Sequence, residues 1–215
     1  MPKYGEDFVR LWEYILFAAL GFFLGGILFS YHLPKLLRGV DVCAEKDHNP
    51  GAMNAFRQAG PRVGMLCLAC DIGKGFLPVF WARHQLEPHP LFALVLAAPV
   101  LGHALAPLYP GKRGKAISVS FGALLGLVPE SPLVWLLAAL YLFFSLVWVI
   151  RPNERRTVVV FGLFSLGAFL GGFVSKRWDF ALGSVLISLI VTTRNLQDAQ
   201  LPHRQLPRRR GQKET

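Results

Sequence analysis

Long apolar stretches restrict this chain, more than any other feature, to a helical fold inside a lipid bilayer. A helix needs about 20 predominantly apolar residues to cross the hydrocarbon core. Seven segments meet or approach that length: 8–31, 61–84, 89–108, 115–130, 132–151, 157–175 and 178–193. With 53% hydrophobic and only 17% charged residues, the chain is too apolar for a soluble domain of 215 residues. We therefore predict an all-α membrane protein, a bundle of about seven transmembrane helices. Six is the alternative count, because the fourth and seventh segments are short.

The basic residues indicate how such a bundle is oriented. Most of the 23 lysines and arginines fall in alternate connections between the segments and in the C-terminal stretch. Cytoplasmic loops carry an excess of Lys and Arg, so we predict an outside N-terminus and a cytoplasmic C-terminus. We assign residues 1–196 to one membrane domain and residues 197–215 to a basic, disordered cytoplasmic tail. The first apolar run has no small-residue cleavage site before the next polar stretch, so we expect it to be retained as a span.

Two ionisable residues interrupt the second apolar segment. Asp71 and Lys74 are three residues apart, so on a helix they share one face and can form an ion pair. An ionisable residue in hydrocarbon is costly and normally faces a bundle interior or a watery cavity, where it marks a functional site. A purely structural ion pair that holds two helices together is the alternative interpretation.

Three polar segments lie on the predicted cytoplasmic side: 47–57, 102–115 and 151–156. The first contains Asn49-Pro50-Gly51, which predicts a bend followed by free backbone N–H groups, and then Arg57. Such N–H groups can bind an anion, and an arginine can clamp it with two hydrogen bonds. The second segment combines His103 with a loop of glycines and cations around Lys115. Each segment alone is also typical of an ordinary positively charged loop.

These residues resemble a known family, the bacterial acyl-phosphate-dependent glycerol-3-phosphate acyltransferases. Three of its motifs, in order and spacing, are similar to segments between about residues 20 and 130. The first is similar at Asn49, Gly51, Ala52, Asn54 and Arg57; the second at Asp71, Lys74 and Gly75; the third at Gly102, His103, Lys112, Gly114 and Lys115. The resemblance implies a seven-helix enzyme of the bacterial inner membrane that acts in phospholipid biosynthesis.

The chain also departs from the family pattern. Asp47 and His48 replace the family's Ser-Gly, and Met53 replaces its Thr. In the C-terminal motif only Arg194 matches without a gap, whereas a one-residue deletion aligns Asn195 with the family Asn. We therefore expect a divergent member.

The resemblance implies that an acyl group moves from an acyl phosphate to a hydroxyl of glycerol 3-phosphate, which forms lysophosphatidate. Both substrates are anionic, so we expect cations and backbone amides to hold them close together. We predict His103 as a base, Asn54 as a donor to the oxyanion and Lys115 as a catalytic cation. The predicted substrate-binding residues are Asp47, His48, Asn49, Gly51, Arg57, Asp71, Lys74, Lys112, Gly114, Arg194 and Asn195.

The expected partners are acyl phosphate, glycerol 3-phosphate, membrane lipids and an acyl-phosphate-producing enzyme. We expect no nucleic-acid partner, because the chain offers no binding fold or aromatic platform for one. We expect no cofactor, and no metal site either, because the histidines and carboxylates are too dispersed. The three cysteines are expected to pack at helix interfaces.

Two other functions stay open at this level. The chain could be an inactive relative that binds acyl phosphate or phospholipid, or an active one with an altered substrate. It could also be a small carrier in which Asp71, Lys74 and His103 line a permeation path.

Overall fold

The computed structural model describes residues 4–44 and 49–200, and the side chains of residues 11–44 and 49–197. These residues form nine α-helices, a 3₁₀ turn at Val42–Ala44 and a π-helical turn at Phe143–Val147. The α-helices are α1 (Tyr4–Gly25), α2 (Phe29–Arg38), α3 (Ala52–Ala59), α4 (Pro61–Gln85), α5 (Phe92–Leu105), α6 (Ile117–Leu125), α7 (Leu133–Leu142), α8 (Asn153–Ser175) and α9 (Trp178–Gln200). The predicted all-α membrane architecture is confirmed.

Within the described part of the chain, four helical stretches are long and apolar enough to cross a membrane: Leu11–Arg38, Pro61–Gln85, Asn153–Ser175 and Trp178–Gln197. The apolar helices Phe92–Leu105 and Leu133–Val147 are shorter. The predicted span 115–130 contains only the nine-residue helix α6. The sequence around α6 explains why it is short. The loop before it is rich in glycine and proline, and two further prolines, Pro129 and Pro132, come after it. The count of seven spans and their orientation therefore stay a prediction.

The first predicted span, 8–31, is not one continuous helix. α1 ends at Gly25, the chain bends, and α2 begins at Phe29. A Cβ atom on Gly25 would lie 2.1 Å from the carbonyl oxygen of Pro99, so α1 meets the backbone of α5 directly there. α2 buries Ser30 and Pro34 and leaves Leu36 exposed. That two-sided pattern is typical of a helix lying at a membrane interface.

Glycines also bring α4 and α6 into backbone contact. A Cβ atom on Gly75 would lie 2.4 Å from the carbonyl oxygen of Val119, and one on Gly122 would lie 2.0 Å from that of Ile72. Close packing through small residues is a common source of helix association in membranes, where water supplies no hydrophobic driving force.

Helix α5 lies at the centre of the bundle, between α1, α4, α6 and α9. Its residues Val95, Leu96 and Val100 are fully buried in the main core, which includes Phe161 and Phe164 of α8. This position carries His103, in the last turn of α5, into the interior of the protein.

An ion-pair cluster joins α4, the α6–α7 connection and the start of α9. Glu130 accepts from Arg83 and from Arg177, each at 2.9 Å, and Arg177 also pairs with Asp179 at 2.8 Å. The hydrogen bond to Asp179 raises the pKa of Arg177 above its ordinary value. The cluster fixes the helix ends at the side of the bundle where α4 finishes.

Candidate active site

A cavity of about 350 Å³ lies at the opposite end of the bundle, where α4 begins. Seven separate parts of the chain line it: the α3 segment, α4, the end of α5, the loop before α6 with the first turn of α6, α7, the start of α8, and α9. Eight of the predicted site residues are among its lining: Asn49, Gly51, Asn54, Arg57, Asp71, His103, Lys115 and Asn195. Residues spread over most of the sequence are thus brought to one cavity.

The bend predicted at Asn49-Pro50-Gly51 forms one wall. The Gly51 N–H donates to the carbonyl oxygen of Asn49 at 2.8 Å, and the Asn54 side-chain amide donates to the same oxygen at 2.9 Å. A Cβ atom on Gly51 would lie 2.8 Å from the side-chain amide nitrogen of Asn49, so a larger residue there would displace that amide. Arg57 lies in the last turn of α3 and is exposed, with its side chain on the cavity lining.

A buried polar centre lies beneath the cavity. Lys74 Nζ contacts Asp71 Oδ1 at 2.8 Å and His103 Nδ1 at 2.8 Å. Lys74 also donates to the carbonyl oxygen of Ile27, and Ser30 donates to the second oxygen of Asp71, each at 2.5 Å. All three ionisable side chains are at most 4% exposed. The centre ties α2, α4 and α5 together, because the ion pair on α4 is also hydrogen-bonded to Ser30 of α2 and to His103 of α5.

The glycine-containing loop folds back against His103. The Gly114 N–H donates to the carbonyl oxygen of His103 at 3.3 Å, and a Cβ atom on Gly114 would lie 2.0 Å from His103 Nε2. Gly114 therefore shapes the site by its lack of a side chain. His103 is held at Nδ1 by Lys74 and enclosed at Nε2 by this loop.

Lys115 lines the cavity and forms an ion pair that the sequence did not predict. Its Nζ lies 2.9 Å from Glu154 Oε1 at the start of α8, and the two side chains are 13% and 24% exposed. α7 and α8 supply further lining residues that we did not predict as site residues: Tyr141, Asn153, Arg156 and Thr157. Tyr141 donates to Thr157 at 3.1 Å, and Arg156 donates to Asn153 at 2.7 Å. The polar segment 151–156 was the only sequence signal for this wall.

Four predicted site residues lie elsewhere. Lys74 lies below the cavity in the buried centre, and Gly114 lies behind His103. Lys112 lies over the Tyr31 ring, 4.2 Å from its centroid, and Arg194 lines a different cavity. In the C-terminal motif it is Asn195 that reaches the site, because successive residues of a helix point in different directions. Asp47 and His48 lie outside the described residues.

Within the described parts of the chain, the structure shows no group of three histidine, cysteine or acidic side chains suited to a metal ion. Among the described residues, Cys43, Cys67 and Cys70 form no disulfide, and Cys67 is fully buried among apolar residues. Burial raises the pKa of the Cys43 thiol, which lies in the connection between α2 and α3.

Comparison with known proteins places the chain among membrane acyltransferases. The family model described as glycerol-3-phosphate acyltransferase matches residues 15–201. A glycerol-3-phosphate acyltransferase of Thermotoga petrophila is 33% identical over 186 residues, 86% of this chain and 90% of the relative. The glycerol-3-phosphate acyltransferase 2 of Thermotoga maritima is 32% identical with the same coverage.

The fold is also similar to two crystal structures of an integral membrane glycerol 3-phosphate acyltransferase. One is its lysophosphatidic acid form and the other its glycerol 3-phosphate form, and both give a TM-score of 0.71 at 23% identity. The similarity covers 86% of this chain in each case, and 89% and 90% of the two solved chains.

Proposed function

Because this chain belongs to the glycerol-3-phosphate acyltransferase family, we propose that it moves a fatty acyl group from an acyl phosphate to glycerol 3-phosphate. The chain is a multi-pass membrane acyltransferase of phospholipid biosynthesis. The acyl phosphate as donor, the bacterial inner membrane as location, and the seven spans with an outside N-terminus are our inferences. An enzyme that produces acyl phosphate is the expected upstream partner.

One observation carries the proposal: Asn54, Arg57, His103 and Lys115 line the same 350 Å³ cavity. Two anionic substrates repel each other, so a site that joins them must supply several cations. Arg57, Lys115 and Arg156 are such cations, and all three line this cavity. If both substrates are held in line in the cavity, the entropy cost of bringing them together is lower. This positioning supplies a large part of catalysis, because the phosphate is already a good leaving group.

The reaction forms one bond and breaks one. The acceptor hydroxyl oxygen bonds to the acyl carbon, the bond between that carbon and the phosphate oxygen breaks, and the hydroxyl proton leaves with the released phosphate. Negative charge builds on the former carbonyl oxygen in between, and the side-chain amide of Asn54 is our proposed donor to it. Because Asn54 is 4% exposed and already oriented by Asn49, it needs little reorganisation.

The geometry changes the role that we propose for His103. An ammonium group can only donate, so Lys74 donates to Nδ1 and the neutral imidazole carries its proton on Nε2. An imidazole in that tautomer is a hydrogen-bond donor at Nε2 and has no free nitrogen to accept a proton. We therefore propose that His103 orients a substrate or the Gly114 loop, in place of the base role that the sequence suggested.

The decisive experiment follows lysophosphatidate formation by the purified protein with glycerol 3-phosphate and a long-chain acyl phosphate. We expect Arg57→Gln and Lys115→Met to lose at least 100-fold in rate, because each removes a phosphate-binding cation. Arg62→Gln, an exposed arginine at the start of α4, is the matched control and should keep full activity. Transport of glycerol 3-phosphate into liposomes without product, or full activity in both cavity variants, would contradict the proposal.

A further inference from the structure

A second cavity lies behind the wall of the candidate active site, between the ends of α5 and α9. Its volume is about 320 Å³. Among the described residues that line it, Arg113 and Arg194 are basic, Thr193 and Gln197 are polar, and none is acidic. Arg194 is oriented by its contacts with the Gly114 carbonyl oxygen at 3.5 Å and with Gln197 at 2.9 Å. These are donors suited to an anion at the membrane surface.

An apolar groove continues from this basic cavity along α1, α5 and α9. The groove has a volume of about 580 Å³, and it shares Leu101 and Ile190 with the basic cavity. It extends to Leu91 and Tyr14 at the other end of α5 and α1. From Leu91 in the groove to Leu105 in the basic cavity, the rise along α5 is about 20 Å, more than half the hydrocarbon thickness of a bilayer. A complete acyl chain can therefore lie along it.

The basic cavity and the candidate active site share the elements between them. On the loop before α6, Arg113 faces the basic cavity and Lys115 the active site. On α9, Arg194 faces the basic cavity and Asn195 the active site. On α5, Leu101, Ala104 and Leu105 line the basic cavity, and His103 lines the active site. A molecule bound in the basic cavity would therefore restrict the motion of the loop before α6 and of α9, which also present side chains to the active site.

We propose that this cavity and groove form a binding site for an anionic phospholipid of the inner leaflet, with its phosphate at Arg113 and Arg194 and one acyl chain along α5. The charge at one end and the purely apolar lining beyond it match the two parts of such a lipid. A zwitterionic lipid offers the same chain but places a cation beside the two arginines, so it binds less well. The effect on turnover rests on the proposed function, whereas the binding itself does not.

Native mass spectrometry of the full-length protein in detergent tests the binding, with phosphatidylglycerol and phosphatidylcholine as probes. We expect retention of phosphatidylglycerol at least five-fold above phosphatidylcholine. Arg113→Gln should lower that preference several-fold, whereas Arg155→Gln, an exposed arginine outside both cavities, should leave it unchanged. Equal retention of the two lipids, or equal effects of the two substitutions, would overturn the proposal.

Filling the groove tests the acyl-chain part without touching either arginine. Ala19→Phe places a ring in the groove and should lower phosphatidylglycerol retention, whereas Leu16→Phe, on an exposed part of α1 outside the groove, should not. Retention that is unaffected by Ala19→Phe would refute the placement of the chain.

Turnover in nanodiscs separates the two proposals. Activity that rises with the phosphatidylglycerol fraction in wild type but not in Ala19→Phe supports a lipid site that acts on the catalytic wall. Selective binding with activity independent of lipid refutes the coupling. Lipid binding without any acyl transfer refutes the proposed function and leaves the site standing.

Discussion

Replacing Lys74 with methionine should destabilise the protein strongly, because it leaves a carboxylate without its counter-ion. Lys74 and Asp71 have side chains that are 1% and 3% exposed, and their charged atoms are 2.8 Å apart. After the substitution Asp71 keeps the hydrogen bond from Ser30 but loses the ammonium. The carbonyl oxygen of Ile27 and His103 Nδ1 lose a donor at the same time.

The magnitude follows from the burial of the pair. Removing one partner of a buried ion pair costs about 3–5 kcal/mol, since the remaining charge is neither solvated nor neutralised. The double substitution Asp71→Asn with Lys74→Met removes both charges at once. The unfolding free energy of the double variant should exceed that of the single variant by about 1 kcal/mol or more, because replacing a whole buried pair is often nearly neutral.

Reversible unfolding in mixed micelles, followed by tryptophan fluorescence, measures these free energies. Arg62→Gln serves as the control for loss of a single exposed positive charge. We expect the single variant to unfold far more readily than the control, and the double variant to recover part of the loss. A single variant as stable as the control, or a double variant worse than the single one, would refute the reasoning.

Three further predictions concern packing and reactivity. Gly122→Ala should lower the unfolding free energy by about 1–3 kcal/mol, because its Cβ would lie 2.0 Å from a carbonyl oxygen of α4. The control Gly73→Ala should not destabilise the protein, because a Cβ atom there has nothing within 4 Å. Thermal unfolding of the two variants distinguishes these outcomes. Gly114→Ala should reduce acyl transfer at least ten-fold while the protein still folds, because its Cβ would lie 2.0 Å from the enclosed imidazole; a wild-type rate would contradict this. With the other two cysteines replaced by alanine, Cys43 should react slowly with maleimide at neutral pH and faster as the pH rises. Its pKa is raised by burial and lowered by Lys112, so Lys112→Met should slow labelling further. If the predicted topology holds, labelling should occur only from the cytoplasmic side.

The residues of the candidate site were predictable where their chemistry is local. Asn49, Gly51 and Arg57 belong to one turn and one short helix, so their spacing alone places them together. Asp71 and Lys74 are one helical turn apart, and an ion pair between them follows from that spacing. The wall from α7 and α8 was not predictable, because Tyr141 and Thr157 come together only when two helices pack.

Periodicity and composition by themselves determined that this chain is helical and membrane-embedded, because a bilayer accepts little else from such long apolar runs. They also indicated that Asp71 and Lys74, inside one of those runs, share a helix face and can form an ion pair. Only the tertiary structure decided which helices are interrupted, that Asn195 rather than Arg194 reaches the cavity, and that Glu154 meets Lys115. These features depend on how each helix is rotated and on backbone contacts at glycines such as Gly25 and Gly122. Such contacts form between segments that are distant in sequence, so neither segment alone carries a pattern that predicts them.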